Sequence, residues 1–262
     1  MQGRHVVGVV AVALGLVAGA ALTLAQSAQK PFEPVSGQEG KDVVWVPTPQ
    51  PTVDAMLDLT GVTDQDYVID LGSGDGITVI TAAKRGARAL GVEYNPDMVA
   101  LSERRAKEAG VADRVRFVQG DLFEADLSKA TVITLFLLTD INLKLRPKLL
   151  ELAPGTRIAS NTFTMGDWEP DAQATASPCE SWCTALAWIV PAKVAGTWRL
   201  GDGRTLTLTQ HYQMVSGTLD AQPVADGRLR GAEITFTAGA RTYTGRVEGG
   251  TMRGADWSAT RQ

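Results

Sequence analysis

Tyr67-Val68-Ile69-Asp70-Leu71-Gly72-Ser73-Gly74-Asp75-Gly76 is the stretch whose reading decides the fold. Val68, Ile69 and Leu71 make an apolar run of the length of a buried strand, which closes on an acid and then on a Gly-x-Gly-x-Gly turn. Glycines at alternate positions let the backbone turn sharply and approach a ligand closely at the mouth of a parallel sheet. Nucleotide-like ligands sit there, outside the carboxyl ends of the strands.

Two ligand chemistries compete for that turn. A dinucleotide site wants Gly-x-Gly-x-x-Gly, so that a pyrophosphate rests on a helix N-terminus, but here Ile77 takes the last position. Asp70 and Asp75 would repel a diphosphate, whereas they suit a ligand carrying an ammonium and a sulfonium, as S-adenosylmethionine does. About 20 residues on, Gly91-Val92-Glu93-Tyr94 sets Glu93 at the end of a second apolar stretch, where an acid accepts both ribose hydroxyls. A third strand, Val115-Arg116-Phe117-Val118, leads to Gly120-Asp121-Leu122-Phe123, with Asp121 placed for the adenine amino group and Leu122 for the ring. Strand–Asp–glycine loop, strand–Glu, strand–Asp resembles the order of class I S-adenosylmethionine-dependent methyltransferases. The candidate cofactor residues are Asp70, Gly72, Ser73, Gly74, Gly76, Glu93, Tyr94, Asp121 and Leu122, with S-adenosylmethionine as cofactor and no metal.

Taken in order, the 262 residues fit one large domain and one small one. The net charge of −4 and the lack of a long basic run argue against nucleic acid as the main partner. Arg4 and His5 precede an uncharged apolar stretch, Val6–Leu24, and Thr23 and Ala25 are small residues at the −3 and −1 positions of a cut after Ala25. Residues 1–25 therefore read as a secretory signal peptide or an uncleaved membrane anchor. Either way the expected location is the envelope of a bacterium, exported or periplasmic in the first case and membrane-associated through residues 6–24 in the second. Residues 26–46, polar and dotted with Pro and Gly, are a linker or an arm laid over the domain. A cofactor-binding domain is expected over 47–192 and a small antiparallel β domain over 193–262.

Within the large domain, a short helix over Val53–Leu59 ends at Gly61, and further helices cover Thr78–Lys84 and Pro96–Ala109. Asn95 caps the last of these, Pro96 opens its first turn and Gly110 follows its end. Strands near 68–71, 89–93, 115–119, 131–137 and 156–160 complete a β-α-β-α pattern. The fold class is α/β, Rossmann-like, with a mainly parallel seven-stranded sheet and right-handed crossovers. The almost wholly apolar fourth strand, Thr131–Leu138, belongs at the centre. Beyond it, Asp140 and Asn142 either orient a methyl acceptor or cap the next helix. Asn161, Phe163 and Trp168, after the fifth strand, either wall the acceptor opening or pack structurally. Cys179 and Cys183, with three residues between them and only two histidines in the chain, suit a disulfide across a hairpin turn better than zinc. From Val194 polar and apolar residues alternate between Gly/Asp turns, as in an antiparallel meander or small barrel, with no motif for chemistry.

Val46-Pro47-Thr48-Pro49, the Asp70–Gly76 loop, Leu135-Phe136-Leu137-Leu138, Leu145-Arg146-Pro147-Lys148-Leu149 and Ser160-Asn161-Thr162-Phe163 together resemble one family. It is that of the membrane-anchored mitochondrial protein-lysine methyltransferases acting on the adenine nucleotide translocase or the ATP synthase c-ring protein, together with bacterial relatives. The resemblance covers roughly residues 43–191; the leader and the β tail depart from the mitochondrial members. It implies an enzyme that methylates a protein lysine at or near a membrane, with Asp70, Gly72, Gly74, Glu93 and Asp121 holding the cofactor. Asp140, Asn142 and Asn161 are the candidates for orienting the acceptor. A small-molecule acceptor, or a non-catalytic envelope binding protein on the same scaffold, are the alternatives.

Overall fold

The computed structural model describes residues 1–3 and 32–262, so the apolar leader and the first part of the linker lie outside the described residues. Among the described residues no helix is long and apolar enough to cross a membrane.

β1 (Tyr67–Leu71) lies between β2 (Arg88–Glu93) and β4 (Val132–Leu135), parallel to both. Val68, Ile69 and Leu71 are at most 1% exposed, which is why the strand reads as a nearly unbroken apolar run. With β3 (Val115–Gln119), β5 (Arg157–Asn161), β6 (Ala172–Thr175) and β7 (Thr184–Ile189) the sheet has the order β3-β2-β1-β4-β5-β7-β6. β7 runs antiparallel to both of its neighbours, β5 and β6.

Alternation along the central strands sorts their side chains onto two layers. Val68 and Val132 pack with Val53 and Leu57 of α1 (Gln50–Leu59), Val79 of α2 (Ile77–Lys84) and Ala106 of α3 (Pro96–Glu108). Ile69, Leu71, Ile133 and Leu135 pack on the other face with Ile141, Leu145 and Leu149 of α4 (Thr139–Leu149). Asn95 caps α3 by accepting from the Asp97 amide at 2.9 Å. The fourth strand is shorter than its apolar run: the ladder ends at Leu135, and Phe136–Leu138 turn out of it to enter α4.

At the amino edge of the sheet, Asp66 clamps three strands. Its Oδ1 accepts from Thr131 Oγ1 at 2.8 Å and from Arg157, and its Oδ2 accepts from the Thr63 amide at 2.8 Å. Burial pushes this carboxyl up, but hydrogen bonds from Thr63, Thr131 and Arg157 outweigh it and hold Asp66 below the usual carboxylate range. A lowered folded-state value adds stability at neutral pH that is lost as pH falls through that value. Asp66→Ala should therefore lower unfolding free energy by about 3 kcal/mol at pH 7, because it strands partly buried donors. In urea titrations the gap to wild type should narrow towards pH 3; a loss under 1 kcal/mol at pH 7 would refute the clamp.

Eight further strands form a closed antiparallel barrel, from β8 (Gly196–Leu200) to β15 (Ser258–Arg261). It shuts where Ala259 pairs with Leu200 and Thr260 with Arg199, which leaves no open edge. Trp198, Leu206, Phe236, Tyr243 and Met252, each at most 1% exposed, fill the interior as in other small barrels. The barrel docks on the connection after β5: Tyr212 stacks on Trp168 with centroids 5.8 Å apart, and Arg228 pairs with Asp171 at 2.8 Å.

Candidate active site

The turn after β1 is built on three left-handed glycines, Gly72 (φ 75°), Gly74 (φ 52°) and Gly76 (φ 81°). Side chains are disfavoured there by backbone sterics, and neighbours close the space as well. A Cβ on Gly76 would stand 2.8 Å from Ser102 and 3.0 Å from Phe117, and one on Gly74 would stand 2.6 Å from Trp45 Nε1. The amides of Gly72 and Ser73 both bond to the Val92 carbonyl, at 2.9 and 3.0 Å, so the turn is tied to the end of β2.

Glu93 completes that tie. Its Oε2 accepts from the Gly74 amide at 2.8 Å and its Oε1 from the Asn95 amide at 2.9 Å. A carboxylate has lone pairs to spare beyond these two bonds, and those are what ribose hydroxyls would use. Asp70 is 6% exposed and accepts from Thr134 Oγ1 at 2.6 Å. Burial pushes its carboxyl up to about 7 against that hydrogen bond, with the charges of Glu93 and Asp75 adding to the rise. Asp75, read from the sequence as a second acid for the ligand, lines the cavity beside the glycine turn and is also paired with Arg105 of α3.

Asp121 receives the Phe123 amide on Oδ1 at 2.9 Å and Lys41 Nζ on Oδ2. The Lys41 hydrogen bond and the Phe123 amide together hold its carboxyl below the usual range. Lys41 also stands 5.1 Å from the centre of the Tyr94 ring. It belongs to the arm, which is no loose linker over its described part. The Gly37 amide bonds to the Trp45 carbonyl at 2.8 Å and the Trp45 amide to the Gln38 carbonyl at 2.9 Å, and residues 38–46 line the same cavity as the glycine turn.

That cavity runs along the carboxyl edge of the sheet across the β1/β4 switch point. Asp70, Gly72, Ser73, Gly74, Glu93, Tyr94, Asp121 and Leu122 all line it; Gly76 shapes the turn from behind. Among the described residues the buried Ser73 hydroxyl has no partner, and the buried Asp70 has a hydroxyl but no cation beside it. A glycine cradle, an orphan hydroxyl and an uncompensated acid fit a cationic nucleoside ligand. Asp70, Ser73, Glu93, Tyr94, Asp121 and Leu122 are the residues that would hold S-adenosylmethionine, which when bound supplies an electrophilic methyl group on sulfur.

Past β4 the wall changes to Phe136, Leu137, Leu138, Phe163 and Trp182. The three acceptor-orienting candidates do not reach it. Asp140 is exposed in the first turn of α4, where an acid suits the helix dipole. Asn142 is fully buried and donates to the carbonyls of Phe163 and Thr164 at 3.3 Å. Asn161 is equally buried, its Oδ1 accepting from Thr162 Oγ1 at 2.9 Å. Both asparagines support the loop behind the wall. Trp168 also leaves the opening, packing under Tyr212 of the barrel, so of the residues expected there only Phe163 lines it. Sequence reasoning misses Phe136, Trp182 and Trp45, although a strand-end aromatic and a tryptophan between two cysteines are visible signals.

Comparison with known proteins agrees with this geometry. The family model of the ANTKMT methyltransferase domain matches residues 70–172, leaving the barrel outside. A protein-lysine N-methyltransferase of Saccharolobus islandicus is 45% identical over 131 residues, 49% of this chain and 81% of that protein. The mouse adenine nucleotide translocase lysine N-methyltransferase is 36% identical over 105 residues, and the chain spans only 46% of its length. A crystal structure of an RNA methyltransferase from Salinibacter ruber with S-adenosyl-L-homocysteine is 52% identical. It covers 57% of this chain and 96% of its own, with a TM-score of 0.54. With most of two relatives spanned and the cofactor cradle in place, the chain belongs to the ANTKMT family of class I S-adenosylmethionine-dependent methyltransferases.

Proposed function

We propose that this enzyme is a protein-lysine N-methyltransferase. The observation that carries the reading is the wall of Phe136, Phe163 and Trp182 on the acceptor half of the cavity, continuous with the cofactor half. A lysine side chain reaches such a site as an ammonium and must lose a proton to expose its lone pair. Among the described residues no histidine lines the cavity, and an apolar aromatic passage does the work of a base by desolvation, which lowers an amine's pKa and lets the proton leave to water. The wall then excludes water and aligns the neutral amine, and alignment supplies most of the acceleration in an in-line displacement. The Saccharolobus and mouse relatives, both lysine methyltransferases by name, support the same acceptor. An RNA acceptor, the substrate class in the name of the Salinibacter relative, would favour a basic track, whereas this chain carries a net charge of −4.

The test is incubation with methyl-labelled S-adenosylmethionine and two extracts, one of membrane protein and one of total RNA. Label is expected in protein, released by acid hydrolysis as methylated lysine. Label confined to RNA, or to small molecules, would overturn the proposal.

A further inference from the structure

Trp182 is the most conspicuous side chain left over once the cofactor half is accounted for. Of the six tryptophans it is the one among the exposed large side chains, at 39%, while Trp168, Trp188 and Trp198 are wholly buried. Its backbone holds φ at 57°, a left-handed region that bulky residues seldom enter. A stability role explains neither the exposure nor the backbone.

Three restraints hold it there. The Cys179–Cys183 disulfide closes a loop with Trp182 inside it, in the connection between β6 and β7. Thr52 Oγ1, on the buried side of α1, donates to the Trp182 carbonyl at 2.9 Å. The ring meets Phe136 edge-on at 5.6 Å and Phe163 at 5.8 Å, and those two stack at 6.1 Å. Because the rings touch one another, they form a wall along which an amine would slide, not a ring through which it would pass. Phe163 is fixed in turn: its carbonyl accepts from Ser160 Oγ at 2.7 Å, and the preceding Thr162 also holds a positive φ, 64°.

We propose that Trp182, positioned by the Cys179–Cys183 loop, is a specificity-determining residue for the methyl acceptor. Its exposed ring covers the aliphatic stem of the incoming side chain and draws in the still-protonated ammonium, which gives up its proton only on further desolvation along the wall. The proposal rests on the lysine reading above, since a wall of this kind favours a cationic end group on an apolar stem. The disulfide loop acts through Trp182, so Cys179 and Cys183 are positioning residues.

The experiment measures steady-state kinetics on a lysine-bearing acceptor identified by the labelling above, alongside calorimetric binding of S-adenosylmethionine. Trp182→Ala should raise the acceptor KM roughly tenfold, the loss of one desolvated ring contact. Its cofactor Kd and thermal midpoint should stay near wild type. Trp182→Phe should recover most of the loss, and Cys179→Ser/Cys183→Ser should raise the acceptor KM with the cofactor Kd unchanged. If lysine is methylated normally but KM shifts less than twofold in both Trp182→Ala and the double serine variant, the inference fails while the lysine reading stands. A rise in the cofactor Kd of Trp182→Ala matching the KM change would also overturn it. If no lysine is labelled at all, the lysine reading fails first.

Discussion

Glu93→Ala is expected to weaken S-adenosylmethionine binding about a hundredfold while leaving the sheet folded. The carboxylate spends one bond on the Gly74 amide and one on the Asn95 amide, and so fixes the glycine turn relative to the end of β2. Its remaining lone pairs face the cavity that Gly74 and Tyr94 also line. Removing it takes away hydrogen bonds to a charged acceptor, each worth about 1.5–3 kcal/mol, and releases the turn. A loss of about 3 kcal/mol corresponds to the hundredfold change. Glu93→Gln keeps the shape and one acceptor oxygen, so its loss should be nearer tenfold. Isothermal titration measures both, with circular dichroism as the folding control. Wild-type affinity in Glu93→Ala would place the cofactor outside this cradle.

The second large effect is on pH. With its carboxyl pushed up to about 7, Asp70 is mostly protonated at pH 6 and mostly ionised at pH 8. A cationic ligand favours the ionised form, so S-adenosylmethionine should bind roughly tenfold more tightly at pH 8 than at pH 6, following the ionised fraction. Binding near pH 7 should release a proton, seen as a heat that depends on the ionisation enthalpy of the buffer. Stability of the cofactor-free protein should move the other way. A folded-state value above the ordinary 3.8 means that the native state binds more protons between there and about 7, so this group's contribution is full below pH 4 and is lost as pH rises through 7. Asp70→Asn should flatten both profiles, raising the thermal midpoint of the cofactor-free protein at pH 8 and lowering its cofactor affinity. A pH-independent affinity in wild type would show that Asp70 does not face the cationic part of the ligand.

The cofactor half was legible in the sequence because each of its acids lies at or just beyond the carboxyl end of a strand. Asp70, Glu93 and Asp121 need only the strand ends and parallel order to arrive at one edge, and both follow from local apolar runs and βα alternation. The acceptor half was not legible, because it is assembled from the ends of β4 and β5 and the start of β7, which become neighbours only in the folded sheet. Asp140, Asn142 and Asn161 looked right by position after a strand, but phase decided otherwise. The first helical turn leaves Asp140 in solvent, while Asn142 and Asn161 turn inward to support the 162–164 loop. Trp168 was drawn away by a partner that local sequence cannot announce, the Tyr212 ring of the barrel. The pairing of Cys179 with Cys183 could be expected from their spacing, but not that it would hold a tryptophan at the mouth of the cavity.

By itself, then, the sequence determined the sheet, the glycine turn, the gathering of three acids at one sheet edge and the β character of the tail, because each depends on short-range apolar periodicity and backbone sterics. Only the tertiary structure decided that Asp75 pairs with Arg105, that the arm carries Lys41 to Asp121 and Trp45 to Gly74, and that three distant aromatics share one wall. The physical reason is that these outcomes turn on which side chains come within bonding distance across the sheet edge. Strand order, helix phase and barrel docking set those distances, and no stretch of a few residues encodes them.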